Sequence, residues 1–233
     1  ISNMAYASYG YGGGTRLENS LGGGDYTPDG QVDFQKFYNS NTIGGLFGPP
    51  IDPNYQRTHA LLVPQILGYP VYQDSLLKSS RILRKLYNNH YWYGVLSTFR
   101  HETTESLTLS GGADLRTYQG EHYAEVFDLL GGDYFVDTRN ANASTNMRFV
   151  GDKIGYHNDA FVRWAGAFAL LEYKGYLWNA FLNVSAVSQG HKSVDYFAET
   201  QEDGSFTTSG WKWIPGYTIK TGGNYNLSEY ANT

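Results

Sequence analysis

Six stretches of this chain alternate apolar and polar residues with period two, and the segments joining them are alternately very short and very long. The alternating stretches cover about 2–12, 90–102, 107–119, 156–173, 176–190 and 211–226. The second and third are joined by little more than Thr104-Glu105-Ser106, and the fourth and fifth by Lys174-Gly175. The remaining connections run over roughly 13–89, 120–155 and 191–210. An antiparallel meander with this rhythm places every tight turn at one end and every long loop at the other, the asymmetry of outer-membrane barrels. Sandwich domains keep connections short at both ends.

Each stretch spans ten residues or more, enough for a tilted strand to cross a bilayer. In LTLSGGADLRTY (107–118) the odd positions are Leu107, Leu109, Gly111, Ala113, Leu115 and Thr117, and the even ones include Asp114 and Arg116. Strict alternation marks a strand with two unlike faces. In a soluble sheet the apolar face meets a core, and in a membrane barrel it meets lipid. The residues by themselves leave both open.

Composition narrows the chemistry. There are 28 Gly and 21 Tyr in 233 residues, which favours strands with many turns. The absence of Cys removes disulfides, thiolate metal sites and Cys catalysis. A net charge of −5 argues against a nucleic-acid surface. No apolar run approaches the roughly 18 residues of a spanning helix, so a membrane role runs through strands. The chain begins at Ile1 without an initiator Met or leader and reads as a piece of a longer protein.

Aromatic residues cluster at both ends of the expected strands. Tyr9, Tyr11, Tyr91, Tyr93, Tyr118, Tyr156, Trp211 and Trp213 fall at the long-loop end, and Phe99, Tyr173, Tyr176, Trp178 and Tyr225 at the short-turn end. Two such girdles suit a membrane interface, because Tyr and Trp join an apolar body to a wet tip. Within the long connections, 30–39 places Phe34, Phe37 and Tyr38 at helical spacing after Asp29 as N-cap. Tyr123, Val126, Phe127 and Leu130 give 122–130 a helical spacing, and 79–87 reads as a third short helix. Tyr38, Tyr55, Tyr123 and Tyr134 are the candidate substrate contacts in these loops, with packing between loops the commoner role for any one of them.

Motifs of soluble enzymes are weak. The triplets Gly12-Gly13-Gly14 and Gly22-Gly23-Gly24 lack the Lys-Ser or Lys-Thr that a phosphate-cradling loop needs, and turn glycine is the better reading. The six His form no close ligand pair, and His157-Asn158-Asp159 reads more simply as a polar strand top than as a cation site. No metal or cofactor is expected. No Gly-x-Ser-x-Gly elbow is present.

NNHYWYGVLSTFRHE (88–102) and LTLSGGADLRTYQGEHYAEVFDLLGGDYFVD (107–137) resemble the barrel region of SusC-like TonB-dependent outer-membrane transporters. AYASYGYGGGT (5–15), VGDKIGYHNDAFVRWAGAFALLEYKG (150–175) and SGWKWIPGYTIKTGGNYNLSE (209–229) share the likeness in the same order, and 40–80 is its weakest part. The resemblance implies that 1–233 is one partial domain of a plugged barrel of about 22 strands. It also implies energisation through TonB, a SusD-like lipoprotein partner, residence in the bacterial outer membrane, contact with its lipid, and import of nutrients such as glycans or peptides. Relative to that pattern the chain carries no plug and no TonB box.

On this reading Leu107, Leu109, Ala113 and Leu115 face lipid, and Arg100, Asp114, Arg116, Glu172, Asn179, Asn183 and Lys220 face the lumen. An Arg facing the bilayer midplane would cost about 2–4 kcal/mol. Tyr91, Tyr93, Tyr173, Tyr176, Trp178, Trp213 and Tyr225 form the girdles. A two-residue turn at Lys174-Gly175, with Gly at positive φ, would oppose Tyr173 to Tyr176, Leu171 to Trp178, Ala169 to Ala180 and Ala167 to Leu182. Trp164 and Phe168 then turn inward with Glu172, against a plug. Two other classes stand beside this one. A secreted glycan-binding β module would have two packed sheets, and a β-fold hydrolase would pair carboxylates among Glu102, Glu121, Glu125 and Asp128.

Overall fold

The computed structural model describes residues 1–42, 77–228 and 231–232. Along the chain come β1 (Ser2–Leu17), α1 (Phe34–Thr42), β2 (Leu83–Thr104), β3 (Leu107–Asp128) and the short β4 (Phe135–Val136) and β5 (Met147–Arg148). Then follow β6 (Lys153–Lys174), β7 (Trp178–Asp195), β8 (Thr207–Thr208), β9 (Lys212–Ser228) and β10 (Ala231–Asn232). Strands β1, β2, β3, β6, β7, β9 and β10 lie side by side in that order, and β8 pairs with β7. The six long strands therefore form an antiparallel meander in sequence order, as the alternation requires. Among the described residues the only other sheet is the β4–β5 pair.

The strands are longer than the alternating stretches suggest. Strands β2, β3 and β6 each have 22 residues, about twice the 9–11 that cross a bilayer at a tilt. The extra length lies at the long-loop end and corrects two expectations. Residues 83–87 are the start of β2 and 122–128 the end of β3, not helices. Helical spacing at 122–130 loses to pairing: Tyr123 lies opposite both Tyr87 and His157, and Ala124 and Val126 turn to one side as buried residues. The helix expected at 30–39 is present as α1, but its start is capped by Asp33, which accepts from the Lys36 N–H at 2.8 Å. Asp29 instead closes a turn with Thr27.

Registers are nearly free of slips, so each strand keeps one set of residues on one face. The β6–β7 pairing corrects the expected turn. Lys174 opposes Asn179, Tyr173 opposes Ala180 and Leu171 opposes Leu182. The connection is a four-residue loop closed by the Gly175 N–H donating to the Trp178 carbonyl at 2.9 Å. The shift from the expected register is an even number of residues, so the facing of every side chain is unchanged. Gly175 is absent from the positive-φ glycines. It leaves room, since a Cβ there would lie 2.8 Å from the Tyr173 ring.

The buried core sits entirely at the long-loop end. Ile82, Ala124, Val126, Leu129 and Ile154 form it, with Leu86, Phe135 and Tyr156 packed against them.

Candidate functional site

Two faces and one rim follow from the registers. The first face carries Val95, Phe99, Leu109, Ala113, Leu115, Ala165, Ala167, Leu171, Leu182, Val184 and Ile219, which stand opposite one another from strand to strand. Leu115, Ile219 and Tyr217 are 56 %, 69 % and 86 % exposed, so nothing among the described residues covers this face. On β3 the apolar run extends from Leu107 to Leu115 and gives way to Thr117, Gln119, Glu121 and Tyr123. These nine residues are the length with which a tilted strand crosses a bilayer core.

Aromatics border the run on the same face. At the short-turn end Tyr173 and Trp178 are 4.4 Å apart between ring centroids, and Trp178 stands opposite Tyr225. At the long-loop end Tyr91 lies 5.1 Å from Tyr9, with Tyr93 and Trp213 one step nearer the band. Tyr176 is in the β6–β7 loop, 89 % exposed. Two expected members are corrected. Tyr118 is on the other face, where its hydroxyl meets His90 Nδ1 at 2.6 Å, and Tyr156 packs against the core.

The second face collects every charge assigned to it from the sequence. Asp114, Arg116, Arg100, Glu172, Asn179, Asn183 and Lys220 share this side by register. Arg116 and Asp114, two residues apart, form a forked pair at 2.5 and 2.9 Å, with the guanidinium 5.8 Å from the Trp164 ring. Arg100 reaches Glu172 at 3.3 Å across β3, and Asn183 stands opposite Lys220. Trp164, Phe168 and Phe181 stand among them. Phe181 is 43 % exposed, so among the described residues this face too is uncovered.

The rim is a polar framework that folds the loops onto the strand ends. Asn41 Nδ2 donates to the carbonyls of Arg81, Leu129 and Leu130, and its Oδ1 accepts from the Ser80 N–H at 2.8 Å. Asp137, 3 % exposed, accepts from the Arg139 guanidinium at 2.6 Å and the Gly155 N–H at 2.7 Å. Burial pushes its carboxyl up, but these donors outweigh burial and hold it below its ordinary value. Gly155 has φ +78°, a conformation suited to glycine, and so turns its N–H toward Asp137. Glu18 accepts from the Arg139 guanidinium at 2.7 Å and forms an ion pair with Arg84 at 2.7 Å, which ties the end of β1 to this framework.

Glu121, His157 and Asp159 bring one ligand atom each within 4.8 Å of one another. Sequence spacing missed the grouping because Glu121 comes from β3 and the other two from β6. Lys153 supplies its cation: the ammonium is 2.9 Å from His157 Nε2 and 3.7 Å from Glu121 Oε1. Tyr196 and Gln119 both donate to Asp159 Oδ2, at 3.1 and 2.9 Å. Burial pushes the Tyr196 hydroxyl up to about 12, and the Asp159 charge adds to the shift.

The loop tyrosines are scattered in role. Tyr38 is exposed on α1, Tyr134 is buried, and Tyr123 stacks on Tyr87 at 4.6 Å with Lys153 over its ring. Tyr55 lies outside the described residues. Of the carboxylates considered for hydrolysis, Glu102 is at the far end of β2, Glu125 is held by the Tyr87 hydroxyl at 2.5 Å, and Asp128 caps the Leu130 N–H. No family model, curated protein or solved structure matches the chain.

Proposed function

We propose that this chain is part of the wall of a transmembrane β-barrel in the bacterial outer membrane, belonging to a TonB-dependent transporter of nutrients such as glycans or peptides. The observation that carries the reading is the uncovered apolar band. It is one bilayer tall, bordered by aromatics at both margins, and backed by a face that holds the charges. A glycan-binding sandwich would need a second sheet on that band, and among the described residues there is none. The polar face fits a plugged interior better than an open pore, because Trp164, Phe168 and Phe181 need a partner other than water. The SusC-like likeness supplies the transport role, the energising partner TonB and the SusD-like lipoprotein.

Spin labels placed one at a time in the intact membrane protein test this reading. Labels at Leu115, Leu182 and Ile219 should be relaxed by dissolved oxygen, which concentrates in lipid. Labels at Asp114, Asn183 and Lys220 should respond to a water-soluble nickel chelate or be shielded from both. Nickel access at the first three positions rules out a lipid-facing band.

A further inference from the structure

One feature of the apolar face does not fit bare hydrocarbon. Arg163 and Lys192 stand on it, at its long-loop margin. Arg163 lies opposite Gly190 and Lys192 opposite Phe161, so the two cations are diagonal neighbours on adjacent strands. The Arg163 guanidinium rests 4.5 Å from the Trp211 ring centroid, and Trp211 and Trp213 stack at 5.8 Å. The Trp213 ring in turn covers Gly190, where a Cβ would lie 2.9 Å from it. Lys192 Nζ is 6.0 Å from the Phe161 ring. Neither cation has a carboxylate or side-chain hydrogen-bond partner among the described residues. Lys153, higher on the same face, is by contrast matched with Glu121.

We propose that Arg163, Lys192, Trp211 and Trp213 bind the anionic phosphate headgroup of a membrane lipid. The proposal rests on the barrel reading, and its chemistry follows from position. A guanidinium held over an indole ring leaves N–H groups free to donate, and a guanidinium fork is suited to grip a phosphate with paired hydrogen bonds. Indoles at this depth are interfacial anchors. Directly beneath Arg163 the band turns shallow, with Ala165, Ala167 and Ala169 on β6 beside Gly111 and Ala113 on β3 and Ala186 on β7. A ligand here has an anionic head at the border and hydrocarbon below it, which describes a lipid and not a free anion or an acidic peptide. Cations on a lipid-facing surface without internal partners are thereby neutralised where the dielectric begins to fall.

The test uses the intact protein in nanodiscs of phosphatidylcholine doped with phosphatidylglycerol, with retained lipid counted by native mass spectrometry. Two cations near a lipid surface correspond to a preference of about 30-fold for the anionic lipid. Arg163→Gln with Lys192→Gln should abolish most of it, Arg163→Lys should keep part of it, and Lys153→Gln should leave it unchanged. The charge-conserving variant separates loss of binding from loss of folding. Equal retention of both lipids by the wild type, or an undiminished preference in the double variant, overturns the proposal. So does displacement of the preference by millimolar inorganic phosphate, which would make the site one for a free anion. Oxygen accessibility at Leu182 and Ile219, read on the same samples, distinguishes the failures. Lipid contact without headgroup preference sinks this site alone, and absence of lipid contact sinks the barrel reading with it.

Discussion

Asn41 does for the loops what their own backbone cannot. Its amide bridges Arg81, Leu129 and Leu130, chain segments that share no regular pairing, and it is 2 % exposed. Asn41→Ala takes the donor from the half-buried Arg81 and Leu130 carbonyls and the acceptor from the Ser80 N–H, while the Leu129 carbonyl keeps the Ser79 hydroxyl, a loss of about 1–3 kcal/mol. Hydrogen exchange should show this as faster exchange across 77–82 and 129–134 with the lower strands unaffected, and Asn41→Asp should do comparable harm because it cannot donate. Unchanged exchange in both variants would remove Asn41 from this role. Asp137 makes the same region sensitive to acid. Its depressed pKa stabilises the fold above the unfolded value near 3.8, and that contribution is lost as pH falls through the lower folded value. Protection at Gly155 should therefore weaken on acidification below about 3.8, and Asp137→Asn should flatten the dependence while lowering protection at neutral pH. An acid profile identical in the variant assigns the sensitivity to other groups.

The β6–β7 turn shows how an element can be right in facing and wrong in detail. Alternation sets which residues share a side, so Leu171, Leu182 and Val184 fall together whatever the loop length. Loop length is decided elsewhere, by the Tyr173–Trp178 ring contact and the Gly175 hydrogen bond, neither of which has a period. Gly175→Val would press into the Tyr173 ring and the Trp178 carbonyl, at a cost of about 1–3 kcal/mol from overpacking. A denaturation midpoint in detergent measures it, and a midpoint equal to wild type would show the ring swings aside freely. The same logic separates what was legible from what was not. The meander and the division of Arg116 from Leu115 are local patterns and could be read. The rim could not: Glu121 meets His157 only through the β3–β6 register, and Arg84 meets Glu18 across a long connection. Segments 79–87 and 122–130 have spacings of three and four that coexist with alternation, and neighbouring strands decide between them over 83–87 and 122–128. Arg163 left one trace, a charge on the odd, Ala-rich side of its strand.

At the scale of the molecule, two things are exposed that water does not suit: the apolar band and the outer edge of β1, which among the described residues pairs only with β2. Unpaired edges and large apolar patches promote association. The chain alone should therefore form oligomers or aggregates in buffer and need detergent for dispersal. A monodisperse monomer by light scattering in detergent-free buffer would count against a membrane wall. The sharper discrimination comes from two adjacent positions on β7. Asn183 stands beside Lys220 on the polar face, and Val184 stands between Ala169 and Ile219 on the apolar one, 39 % exposed. If the band faces water, Val184→Arg replaces an exposed apolar side chain with a soluble one and leaves stability within about 0.5 kcal/mol. If the band faces lipid, the same arginine sits near the bilayer midplane and costs about 2–4 kcal/mol. Asn183→Arg on the polar face is the matched control for β-strand tolerance and adds only repulsion from Lys220, which salt screens. Denaturant unfolding of the intact protein from lipid vesicles compares the two. A large loss at 184 with a small one at 183 is the expected result. Equal, small effects would mean that lipid is not the solvent of this face.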